Sequence, residues 1–108
     1  MKEQILHLLN KYIYQTKVSE EGIVYFLKEQ LGQDCELKFE MYTNEHNPPH
    51  FHVKSKNGEI NASFLLSDCS LLHGEINPSQ YKRIKFFYVE NKSLLEEYWN
   101  NKVIKHRK

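Results

Sequence analysis

Between Lys2 and Tyr14 the apolar residues Ile5, Leu6, Leu9, Tyr12 and Ile13 recur at three- and four-residue intervals, the stripe of an amphipathic helix. A second helix is expected from Ser19 to Leu31. Ser19 has N-cap chemistry, Glu20 and Glu21 suit a first turn, and Val18 and Ile23 occupy the two positions of a hydrophobic staple. Its buried face would be Ile23, Val24, Leu27 and Leu31, with Gly32 ending it in the left-handed region.

From Leu37 to Thr43 the period falls to two: Leu37, Phe39 and Met41 alternate with Lys38, Glu40 and Tyr42, the signature of a strand with one buried face. Pro48 and Pro49 stiffen the loop that follows, because each fixes its own φ and disfavours helix in the residue before it. Asn57-Gly58 is the strongest hairpin signal, since both residues tolerate the positive φ of a type I′ turn. With those two as the loop, Lys56 faces Glu59, and His50, Phe51, His52 and Val53 pair with Leu65, Phe64, Ser63 and Ala62. Phe51, Val53, Ile60, Ala62 and Phe64 then form an apolar face, while His50, His52, Lys54, Asn61 and Ser63 point the other way. Leu71, Leu72 and Ile76 around Gly74 predict a short fourth strand. Pro78 opens a long helix to about Asn101 whose core stripe is Ile84, Phe87, Tyr88, Leu95 and Trp99.

These elements add up to an α+β fold: two N-terminal helices, a small antiparallel sheet of three to four strands with an Asn-Gly hairpin, and a long C-terminal helix packed on one face. The expected organisation is a single domain over 1–108, comprising a helical extension (1–34), a ββ(β)α core (35–101) and a basic tail (102–108). Composition agrees. The 108 residues are 40% hydrophobic and 27% charged with a formal net charge of +1, which excludes a disordered or supercharged chain. No apolar run approaches the ~18 residues of a membrane span, and the N-terminus lacks the apolar stretch of a signal peptide. A cytoplasmic protein without membrane contact is expected, with Cys35 and Cys69 as reduced thiols.

Candidate chemistry concentrates in Glu45-His46-Asn47-Pro48-Pro49-His50-Phe51-His52. His50 and His52, at i and i+2 on a strand, present their imidazoles to one face with their Cα atoms about 7 Å apart. With His46 from the loop they would form a three-imidazole site for zinc or another transition metal, and Glu45 or Glu59 would be the candidate general base. The alternative is a cluster that hydrogen-bonds loop carbonyls and holds the turn. Ser63, opposite His52, is either a cross-strand hydrogen-bond partner or a nucleophile beside its base. No P-loop, dinucleotide fingerprint or nucleophile elbow is present. Charge is split modestly: residues 1–50 hold five basic against eight acidic side chains, and residues 51–108 hold ten against six. Lys82, Arg83, Lys85, Lys105 and Arg107 are therefore the candidate nucleic-acid contacts.

The run Tyr42 to Val53, the Asn57-Gly58 hairpin, Leu71-Leu72-His73-Gly74-Glu75-Ile76-Asn77-Pro78 and the helix ending Leu95-Glu96-Glu97-Tyr98-Trp99 resemble the bacterial domain-of-unknown-function family 4160 over roughly residues 37–100. Its members are small prokaryotic proteins often encoded beside a second small uncharacterised domain, in pairs that look like toxin–antitoxin modules. The resemblance thus implies a protein-binding module whose partner is a small protein encoded nearby. It does not cover the N-terminal extension. Members often carry Trp and His four residues apart where this chain has Phe87 and Asn91, so a role for that histidine does not transfer. Three functions follow in order: a protein-binding component of such a pair, a metal-dependent hydrolase or nuclease using His46, His50 and His52, and a nucleic-acid-binding module. A homodimer is compatible with each.

Overall fold

The computed structural model describes residues 1–27, 37–42 and 48–106, with residues 42 and 103–106 as backbone only. Helix α1 (Lys2–Tyr14) has the expected bounds and buries Ile5, Leu9, Tyr12 and Ile13. It closes by bonding the Gln15 amide to Lys11 O, and the Thr16 hydroxyl donates to Tyr12 O.

The expected second helix is replaced by a hairpin of β1 (Thr16–Val18) and β2 (Val24–Phe26), a separate two-stranded sheet. Among the described residues there is thus one N-terminal helix. The physical reason lies in Gly22, which adopts φ +85° inside the supposed helix, a left-handed conformation that breaks a right-handed helix but suits a tight turn. The Gly22 amide donates to Ser19 O at 2.9 Å, and Ser19 N and Ile23 O close the hairpin at 2.8 Å. Ser19 Oγ does cap an amide, that of Ile23 at 3.0 Å, but in a turn. Ile23 is consequently 63% exposed. Leu31, Gly32, Thr43 and Cys35 lie outside the described residues.

The second sheet has the order β3-β4-β5-β6, antiparallel throughout, from β3 (Leu37–Tyr42), β4 (His50–Ser55), β5 (Ile60–Leu65) and β6 (Leu71–Ile76). The β4–β5 register is the expected one, with His50 opposite Leu65 and Val53 opposite Ala62. The turn differs: Gly58 has φ +81° but Asn57 does not enter the positive region, so this is not a type I′ loop of two residues. Instead Gly58 N bonds Ser55 O at 3.1 Å. The Asn57 side-chain carbonyl accepts from Glu59 N, and Ser55 Oγ accepts from Ile60 N, both at 3.0 Å. Two side chains thus supply hydrogen bonds that hold four loop residues in the register a two-residue turn would give.

Phe39, Met41, Phe51, Val53, Ile60, Ala62 and Phe64 are inaccessible to solvent and form one core with the buried face of α1 and with Ile84, Phe87, Tyr88 and Leu95 of α2 (Pro78–His106). The N-terminal helix therefore completes the core. Helix α2 runs five residues further than expected, through the start of the basic tail, and is kinked where Asn91 leaves helical geometry (φ −127°, ψ 22°). There the Asn91 side chain donates to Phe87 O at 3.0 Å, an i−4 side-chain bond at the site of the bend. Among the described residues no helix is long and apolar enough to cross a membrane.

Candidate functional site

Both helices lie on the apolar side of the four-stranded sheet, and no described element packs over the other side. Alternation places two polar rows there. Glu40, His52, Ser63 and His73 stand opposite one another from β3 to β6, and beside them run Lys38, Lys54, Asn61 and Glu75. A β-bulge between Ser63 and Phe64 adjusts the β5–β6 pairing.

His52 lies at the centre of these rows. Its Nδ1 is 2.7 Å from Ser63 Oγ and its Nε2 is 2.9 Å from Asn61 Oδ1. Because Asn61 Oδ1 can only accept, Nε2 carries the proton, and in the neutral ring Nδ1 accepts the Ser63 hydroxyl. Both ring nitrogens are engaged, so a metal at His52 would have to displace one of these partners. His50 shares the face of His52, as expected, but is buried there, with its Nδ1 2.9 Å from Pro48 O. The Pro48-Pro49-His50 run thereby ties its own turn to the start of β4, and Leu66 N reinforces it by bonding Pro49 O at 2.9 Å. Glu45, His46 and Asn47 lie outside the described residues. Among those that are described, no group of three His, Cys, Asp or Glu side chains is arranged to hold a metal ion. Glu59, the other candidate base, accepts a long bond from the Gln80 amide at 3.4 Å in the β4–β5 turn.

The basic residues of α2 are largely committed to the fold. Arg83 donates to Gln80 Oε1 at 3.1 Å and to Thr16 O at 3.4 Å, tying α2 to the N-terminal hairpin. Burial pulls its guanidinium below the usual arginine range, with Glu59 opposing the shift. Lys85 sits 4.2 Å over the Tyr81 ring, and Lys82 reaches the hairpin turn beside Gly22. The Lys105 side chain and Arg107 lie outside the described residues.

Sequence patterning missed two features. Lys38 and Lys54 are directly opposed across β3 and β4 and, with Ser55 and Lys56, line one surface depression. The seven-residue connection from β3 to β4 has no tight-turn signal, so this register was not legible. The second feature is apolar exposure on the N-terminal hairpin: Ile23 and Tyr25 are 63% and 47% exposed, and Phe26, on the other face of β2, is 44% exposed. That other face is anchored, the Phe26 ring lying 4.9 Å from Tyr12 edge-on and 5.9 Å from Phe86 of α2. Val89, one turn beyond Phe86, is also exposed. Signals for a hairpin were present in Gly22 and in the Val24-Tyr25-Phe26 run of β-formers.

A family model described as Domain of unknown function (DUF4160) matches residues 37–100, more than half the chain, and the protein belongs to this family. The matched span begins with β3 and ends within α2, leaving α1 and the β1–β2 hairpin outside it. Neither a curated protein nor a solved structure matches the chain.

Proposed function

We propose that the chain is a cytoplasmic protein-binding module, one component of a toxin–antitoxin-like pair, which docks a small protein encoded nearby through its N-terminal hairpin. The supporting observation is the outward-facing pair Ile23 and Tyr25, with Phe26 anchoring the hairpin from its other face. Ile23 and Tyr25 are exposed on the outer face of a hairpin whose inner face is braced by Phe26 on Tyr12 and Phe86 and by Arg83, which gives an apolar surface held in a defined shape. Rigid aromatic contacts lose little side-chain entropy on binding, which is why such residues dominate interface energetics. The pair lies in the extension outside the family match, so it would select a partner for this chain specifically.

The test is co-expression with the neighbouring gene product and co-purification on a tag carried by either protein. A stoichiometric complex is expected with the wild type and a loss of at least tenfold in affinity with Ile23→Asp/Tyr25→Asp. Both side chains face solvent, so the variant should keep the wild-type circular dichroism spectrum. No complex with the wild type, or an equally tight one with the folded variant, would refute this reading.

A further inference from the structure

We propose that the depression lined by Lys38, Lys54, Ser55 and Lys56 binds the phosphodiester backbone of single-stranded nucleic acid. This goes beyond the protein-binding reading and uses a different surface. Lys38 and Lys54 are a directly opposed cross-strand pair, an arrangement of like charges that weakens a sheet when nothing lies between them. Lys56, two residues along, brings a third ammonium to the same depression. Among the described residues the one ion pair is Lys2 with Glu40 at 2.7 Å, so no described carboxylate lies within 4.0 Å of Lys38, Lys54 or Lys56. Three cations are thus gathered at some cost to the fold, and an anion placed among them would relieve it.

The chemistry favours phosphate. All three groups are lysines, compact point charges with three donors each, and none is the forked guanidinium that pairs with carboxylates in two parallel bonds. A polymer fits better than an isolated ion because the depression continues onto the polar face of the sheet. Exposed Asn61 lies next to Lys54 in the same row and is followed by Glu75 on β6, while His73 stands opposite Ser63 in the adjoining row. A four-stranded sheet is about 15 Å across, room for one extended strand laid over it. Glu75, at the far end of the lysine row, gives the face a polarity that orients the backbone toward β3 and β4. No described Phe, Tyr or Trp side chain offers a stacking platform on this face, so contacts to the backbone should dominate and binding should depend little on base sequence.

The experiment is fluorescence anisotropy with a mixed-sequence 20-nucleotide RNA across a salt series. Three phosphate contacts predict a log–log slope of about −2, hence a roughly twentyfold loss of affinity between 50 and 200 mM salt. Lys54→Gln should make the slope shallower by about 0.7, and Lys38→Gln/Lys54→Gln/Lys56→Gln should abolish binding while raising or preserving the melting temperature. Lys82→Gln/Lys85→Gln, on the opposite layer, should leave the slope unchanged. The proposal fails if the wild type does not bind at 50 mM salt, if the triple variant binds like the wild type, or if the α2 variant carries the loss. It also fails if an oligoglutamate peptide competes as well as an oligonucleotide of equal charge, which would assign the depression to acidic protein segments. If the triple variant does not fold, Lys54→Gln alone decides by its slope. Because Ile23→Asp/Tyr25→Asp leaves these lysines untouched, failure here is separable from failure of the protein-binding reading.

Discussion

Ser63 and His52 face each other across β4 and β5 with Oγ and Nδ1 2.7 Å apart, and Asn61, two residues before Ser63, holds the other imidazole nitrogen at 2.9 Å. Serine, histidine and a side-chain carbonyl in series superficially match a nucleophile, its base and an orienting group. Burial argues for a structural role, because Ser63 is 6% exposed and is packed between two strands. Ser63→Ala should therefore cost about 1 kcal/mol, and the loss should be strongly non-additive with His52→Ala in a double-mutant cycle followed by urea denaturation. Labelling of Ser63 by a fluorophosphonate would show instead that its hydroxyl is activated.

The two left-handed glycines of the sheet separate backbone strain from steric conflict. Gly58 has open space where a Cβ would stand, whereas at Gly74, with φ +93°, that atom would lie 2.1 Å from Asn61 O and 2.8 Å from Ala62 Cα. Gly58→Ala is expected to cost about 1 kcal/mol, the penalty of a left-handed alanine. Gly74→Ala adds displacement of β6 from β5 and should exceed it by at least 2 kcal/mol. Thermal melts of the two variants side by side provide the comparison, and equal losses would contradict it.

Helix α2 clamps the β5–β6 connection through two phenols: Tyr88 donates to Leu66 O at 2.6 Å and Tyr81 to Cys69 O at 2.8 Å. Tyr88→Phe leaves the Leu66 carbonyl unpaired and should lower stability by roughly 1–3 kcal/mol. Hydrogen exchange should then accelerate first at the amides of Leu66 and Cys69, which belong to this connection.

Cys69 is 1% exposed and holds φ +62° in the same connection. Burial pushes its thiol up to about 12 from an ordinary value of 9.0, with Lys85 opposing the shift. The folded state therefore retains the proton that the unfolded state releases above about pH 9. The stability this contributes is complete below that pH and is lost as pH rises toward 12. Urea midpoints should fall between pH 9 and 11, less steeply in Cys69→Ala. In a Cys35→Ser background the native thiol should resist a disulfide reagent at pH 8 until the chain unfolds.

Much of this fold was legible because its elements carry clean periods. Helix α1, the alternation of β3, the β4–β5 register and the core stripe of α2 each follow from residues whose spacing admits one buried face. The β1–β2 hairpin carries a helix pattern in the sequence, because Ser19, Glu20 and Glu21 satisfy the rules for a helix start and Ile23, Val24 and Leu27 fall at helical intervals. Gly22 decides the matter, and its effect depends on a φ that spacing does not reveal. The histidine motif was legible as a cluster but not as its parts: His50 is bonded to the Pro48 carbonyl of its own turn, while His52 is held by Asn61 and Ser63. The lysine depression needed the β3–β4 register, which no turn residue specifies.

The most direct test of the central claim is the affinity of the purified chain for the small protein encoded beside it, measured by calorimetry with wild type and Ile23→Asp/Tyr25→Asp. The account expects saturable binding with the wild type, a negative heat-capacity change from buried apolar surface, and at least a tenfold weaker constant in the variant. Equal affinities with the two folded proteins, or no heat with either, would contradict it.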